Sequence, residues 1–134
     1  MASELLKLKT MYNNYISPDD IFNAILSRIK SSDIPKDPGK IHKAVFTIKQ
    51  RDKFSNFLEK FDFDNSGITP FSELLDQILF RLESSGILKT LNPAYERYNI
   101  THEAKILNES FNKFPEGTKT IIEELSVEFE KYID

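Results

Sequence analysis

The 134-residue sequence predicts a mainly α (α+β) fold, with five or six amphipathic helices and one β-hairpin in a single domain. Three observations predict it. Apolar residues recur at three- and four-residue spacing in separate stretches of helical length. Ser17-Pro18, Asp37-Pro38 and Thr69-Pro70 each place a capping side chain directly before a proline, the pairing favoured at helix starts. Two β-prone runs, 87–91 and 95–100, flank Asn92-Pro93-Ala94 and read as a hairpin.

Taken in order, residues 2–15 carry Leu5, Leu6, Leu8, Met11, Tyr12 and Tyr15, a short helix or docked arm ending at Asn13-Asn14. Ser17 caps the first clear helix. Asp19 and Asp20 suit its positive end, Ile16 and Ile21 form a staple across the cap, and Phe22, Ile25, Leu26 and Ile29 share one face. Residues 31–38, with Pro35 and Pro38, read as a loop. Ile41, Ala44, Val45 and Ile48 mark a second helix, and Phe54, Phe57, Leu58 and Phe61 a third of about three turns. Asn65-Ser66-Gly67 signals a turn, after which Thr69-Pro70 opens a fourth helix with Leu74, Leu75, Ile78, Leu79 and Leu82 inward. Gly86 suits the left-handed position beyond that helix. After the hairpin, Thr101 caps a fifth helix with Ile106, Leu107, Phe111 and Phe114. Pro115-Glu116-Gly117 breaks it, and Thr118 caps a last one with Ile122, Leu125, Phe129, Tyr132 and Ile133.

Composition excludes several function classes. Apolar residues at 40% and charged residues at 29% are those of a folded globular chain. The chain has no cysteine, which removes disulfides, thiolate nucleophiles and Cys-ligated metals. Four glycines leave little material for a phosphate-cradling loop. No stretch approaches the roughly 18 apolar residues of a membrane span, and Met-Ala-Ser-Glu-Leu-Leu-Lys lacks the features of a secretory signal. The expectation is an unlipidated cytoplasmic protein with no membrane partner. The two histidines, His42 and His102, are sixty positions apart; His42 is expected on the polar side of its helix and His102 in the first turn after Thr101. With no catalytic motif beside them, the expectation is no cofactor and no enzymatic activity.

Charge is unevenly placed. Residues 1–27 sum to −1, residues 28–60 to +5 and residues 61–134 to −7. The basic third carries Lys36, Lys40, Lys43, Lys49, Arg51 and Lys53, which read either as a surface for nucleic acid or an acidic partner, or as an ordinary solvated face.

Asp62-Phe63-Asp64-Asn65-Ser66-Gly67, with Glu73 at the twelfth position, resembles an EF-hand calcium loop. The resemblance implies Asp62, Asp64, Ser66 and Glu73 as metal ligands. The sequence departs from that pattern with Ile68 at position 7, Thr69 at 8 and Pro70 at 9, and no second such loop follows. The alternative is a polar turn after a helix, with Asp64 and Asn65 bonding the local backbone.

The stretch SELLDQILFRLESSGILKTLNPAYERYNI, Ser72 to Ile100, follows two helices and a short third and runs from a helix through Gly86 into a hairpin. In element order it resembles a winged helix-turn-helix domain over residues 17–100, with 101–134 as a C-terminal helical extension. The resemblance implies a helix laid in the DNA major groove beside a wing. The residues argue otherwise: Glu73, Asp76 and Glu83 outnumber Arg81 on that helix. Gln77 and Arg81 share a face among acids, and Lys89 and Arg97 of the wing are offset by Glu96. The sequence therefore points to a non-enzymatic protein-interaction or adaptor module, its partner another protein or a second copy; the broad apolar stripe of the last helix reads first as packing on its own core and second as a surface for pairing with that copy. The alternatives are a DNA-binding regulator using helices 36–53 and hairpin 87–100, and a calcium binder at 62–73.

Overall fold

In the computed structural model, which describes residues 16–90, 96–101 and 105–133, the first helix, α1 (Pro18–Arg28), begins at its predicted cap. The Ser17 hydroxyl accepts the Asp20 N–H at 3.2 Å, and the Asp20 carboxylate accepts the Ser17 N–H at 3.0 Å. This reciprocal box satisfies two backbone donors that the first turn would otherwise leave open. Phe22, Ile25 and Leu26 are buried on the inward face.

The segment expected as a loop after α1 contains a strand, β1 (Asp33–Pro35). Ile34 is fully buried, and the backbone pairs antiparallel with Arg97, Tyr98 and Asn99. Pro35 has no N–H to donate, so it fits an edge strand, and β1 is one: the sheet runs β1-β3-β2. The Lys36 N–H to Glu96 carbonyl and Ile100 N–H to Ser32 carbonyl bonds extend that ladder at both ends.

Helix α2 (Pro38–Lys49) is capped by Asp37, whose carboxylate accepts the Gly39 N–H at 2.9 Å. Ile41, Ala44, Val45 and Ile48 are all buried, as the spacing requires. The next helix is shorter than its periodicity suggests: α3 (Asp52–Ser55) is one turn. Beyond it Phe57, Leu58 and Phe61 donate to carbonyls three residues back, so the chain continues in tight turns. Those turns still bury Leu58 and Phe61.

Helix α4 (Glu73–Ser84) starts later than Thr69-Pro70. Phe71 and Asp64 exchange backbone hydrogen bonds of 2.9 and 2.7 Å, which holds Phe71 extended, and the Ser72 hydroxyl then caps by accepting the Leu75 N–H. Leu75, Ile78, Leu79 and Leu82 are buried, and Gly86 takes the left-handed φ of 83° expected after the helix. Strands β2 (Leu88–Thr90) and β3 (Arg97–Ile100) form the predicted hairpin, with Leu88 opposite Ile100 and Thr90 opposite Tyr98. The expected turn at 92–94, the arm at 2–15 and His102 lie outside the described residues.

Helices α5 (Lys105–Asn112) and α6 (Glu116–Ile133) follow. The last helix begins directly after Pro115, whose carbonyl accepts the Thr118 and Lys119 N–H groups, so Thr118 lies inside the first turn instead of capping it, and the helix runs through Gly117. Among the described residues the architecture is six helices and one three-stranded antiparallel sheet, a mainly helical α+β domain. Helix α1 lies against both α5 and α6, and α2 against α6. Ile122, Leu125, Phe129 and Ile133 are buried, and Phe129 meets Phe22 edge-on with centroids 5.8 Å apart. Most of the apolar stripe of the last helix therefore packs on the chain's own core, the first of the two readings of that stripe, leaving Tyr132 half exposed.

Candidate functional site

Helix α4 divides into an inward apolar face and an outward face of Glu73, Asp76, Gln77, Phe80, Arg81 and Glu83. Phe80 is 70% exposed, an unusual position for a phenyl ring in a helix that buries four other large side chains. Its neighbours are acidic. The one base on this face, Arg81, donates to both Asp19 carboxylate oxygens at 2.9 Å, pinning α4 to the start of α1.

The N-terminal end of this face rests on His42, which is 1% exposed. This corrects the expectation that His42 occupies the polar side of α2. Its Nδ1 accepts the Ser72 N–H at 3.0 Å, so the neutral ring carries its proton on Nε2. Phe71 stacks on the ring, centroids 4.8 Å apart and planes within 12°, and is itself 45% exposed. Nε2 is buried without a hydrogen-bond partner and lies 3.9 Å from the Asp76 carboxylate. Burial lowers the His42 pKa, and the Asp76 carboxylate only partly opposes it. At the other end of the face, the Tyr98 hydroxyl donates to Glu83 at 3.0 Å; burial and the Glu83 carboxylate push its pKa up to about 12.

Several of the basic residues singled out in the sequence are engaged within the chain. Arg51 pairs with Glu128 at 2.8 Å, Lys53 pairs with Glu124, and the Lys49 ammonium donates to the Phe61 carbonyl at 2.7 Å. Arg97 pairs with Asp33. Lys36 donates to the Thr90 hydroxyl and lies 5.7 Å from the Tyr98 ring centroid. It lines a cleft of about 570 Å³ with Lys40, Asp37, Glu96 and Arg97, where charges of both signs alternate. Lys40, Lys43 and Lys89 are exposed and form no ion pair among the described residues. Gln77 is exposed among acids.

In the calcium-like segment, the Asp64 carboxylate accepts both the N–H and the hydroxyl of Ser66, at 2.9 and 2.7 Å, and those bonds lower its pKa. The loop is closed by the Asp64–Phe71 bridge, and Glu73 is in the first turn of α4. Among the described residues no three His, Asp or Glu side chains gather where they could hold a metal ion.

Sequence reasoning missed Phe80 and the burial of His42. Phe80 had a legible signal, because it falls on the helix face shared by Glu73, Asp76 and Gln77 and not on the Leu75-Ile78-Leu82 stripe. His42 had none, since it adjoins Ile41 in a helix and is covered by Phe71 from a distant segment. No protein-family model, characterised protein or solved structure matches this chain.

Proposed function

We propose that this chain is a non-enzymatic protein-interaction module on a winged-helix-like scaffold, with the outward face of α4 as its interface. The element order supports the scaffold: a hairpin follows α4, as a wing follows the recognition helix in that family, and β1 joins it in one three-stranded sheet. The observation that carries the functional reading is Phe80, largely exposed on a net acidic helix face. An exposed aromatic ringed by polar groups is the composition of an interface anchor, and carboxylates at the same place repel phosphate.

The DNA-binding alternative retains Lys36, Lys40, Lys43, Lys49 and Lys89 as cations with no ion pair among the described residues, and Arg51, Lys53 and Arg97 are held in ion pairs. Each phosphate contact such a cation makes adds about −0.9 to the logarithmic salt slope. Two measurements test the proposal. Tagged wild-type and Phe80→Ala chains, matched for fold by circular dichroism, are compared in quantitative purifications from native cells. Proteins held by the first and lost by the second are expected; identical retained sets overturn the interface assignment. Titration with random duplex DNA at 50 and 200 mM salt is expected to give no salt-dependent affinity, and steep salt-dependent binding overturns the reading in favour of the regulator.

A further inference from the structure

We infer that the α4 face is the seat for an arginine side chain of a partner protein, held on Asp76 between the rings of Phe71 and Phe80. This rests on the interaction-module reading and gives its partner a chemistry.

Three features converge on one spot. Asp76 is 54% exposed, and its carboxylate lies 3.9 Å from His42 Nε2. Phe71, itself 45% exposed, stacks on the face of the same His42 ring whose Nε2 edge points toward that carboxylate. Phe80 follows Asp76 by four residues on α4, so their Cβ atoms are about 5–6 Å apart. A carboxylate with exposed aromatic rings close by attracts a cation twice, through its charge and through the ring faces.

Arginine fits better than lysine. Its guanidinium is flat, weakly hydrated, able to stack on phenyl rings and able to meet a carboxylate with two N–H groups. Arg81, the base on this face, does not fill that place, since it is held by Asp19. His42 cannot discharge Asp76 either: burial keeps the ring neutral, and the 3.9 Å gap is not a hydrogen bond. Glu73 and Glu83, before and after Asp76 on the helix, suit a partner segment with further basic residues.

The test is solution NMR on the full chain, titrated with an eleven-residue peptide of alternating Arg and Ala and with its Lys counterpart. Saturable shifts are expected at the Phe71, Asp76 and Phe80 amides and at the His42 ring. The Arg peptide is expected to bind about fivefold tighter than the Lys peptide. Asp76→Asn and Phe80→Ala, both at exposed positions that leave the fold intact, are each expected to weaken it about tenfold. Equal affinity for the two peptides, no saturable shift, or undiminished binding by Asp76→Asn overturns the inference. So do shifts at these residues caused by protein concentration alone, which would mean that a second copy covers the face, or by duplex DNA. If Phe80-dependent partners are found while the Arg peptide fails, the arginine seat is wrong and the interaction module stands; if no such partner exists, both fall.

Discussion

The basic segment at 36–53 and the acidic face of α4 look like equal candidates for a binding surface in the sequence, yet the fold treats them differently. Much of the basic segment is used internally: Arg51 and Lys53 meet Glu128 and Glu124 of α6, and Lys49 meets a backbone carbonyl. The acids of α4 meet little. Among the described residues the Asp76 carboxylate makes no hydrogen bond and lies 3.9 Å from the edge of His42, while Arg81 turns away to Asp19. The opposite charges of the chain's middle and end thus partly cancel where Arg51 and Lys53 meet α6, while the outward face of α4 stays net acidic. Charge asymmetry along a sequence can record a chain's contact with itself as readily as a contact with a partner.

The largest test of that contrast sets a buried phenylalanine against the exposed one. Phe129→Ala, in the core under α1, is expected to cost about 3–5 kcal/mol in chemical denaturation. Phe80→Ala is expected to change stability by less than about 0.5 kcal/mol. A comparable loss from both would mean that Phe80 packs in solution.

Asp20 is the next. It is 7% exposed, and its carboxylate accepts from Ser17, Ser110 and Lys113, tying α1 to α5. Desolvation raises its pKa, but the Ser17 backbone bond and the Lys113 and Ser110 bonds together outweigh it, and the pKa is lowered. The unfolded chain therefore binds the proton more readily. Asp20's contribution is complete above the usual carboxylate range and is lost as pH falls through its lowered value. Asp20→Asn is expected to cost about 1–3 kcal/mol at pH 7 and to flatten the acid limb of the stability–pH curve. An unchanged limb would remove Asp20 from that role.

His42 gives a third effect in a different pH window. Its pKa is lowered from 6.5, so protonation favours the unfolded chain. Stability is full above about pH 6.5 and declines as pH falls from there through the folded value. His42→Gln is expected to remove that decline, as followed by urea unfolding from pH 7.5 to 5. A decline that persists in His42→Gln would place its source elsewhere.

The smallest effect is expected at the pairs that make the basic segment internal. Arg51 and Glu128 are 46% and 20% exposed, so Arg51→Ala is expected to cost at most about 1 kcal/mol, and less in high salt. Salt-insensitive loss would point to packing of Arg51 over the Phe54 ring, 5.4 Å from its centroid.

The sequence made the helix starts at Ser17 and Asp37 legible because a cap and its bonded N–H lie within three residues. The hairpin was legible for the same local reason. Strand β1 was not, because Ile34 is bracketed by polar residues and a proline and finds its partner Tyr98 far along the chain. The third helix was overestimated because turns closing at three residues bury nearly the same side chains as a helix does. The acidity of the α4 face could be counted directly from the residues. Its isolation could not, since that depends on where Asp19, Glu124 and Glu128 bring their charges in space.

The most direct measurement of the central claim is photo-crosslinking in native cells, with benzoylphenylalanine placed at position 80 on α4 or at position 43 on α2. The account predicts discrete protein adducts from position 80, reduced by Asp76→Asn, and none from position 43. Protein or nucleic-acid adducts formed at position 43 while position 80 stays silent would contradict it.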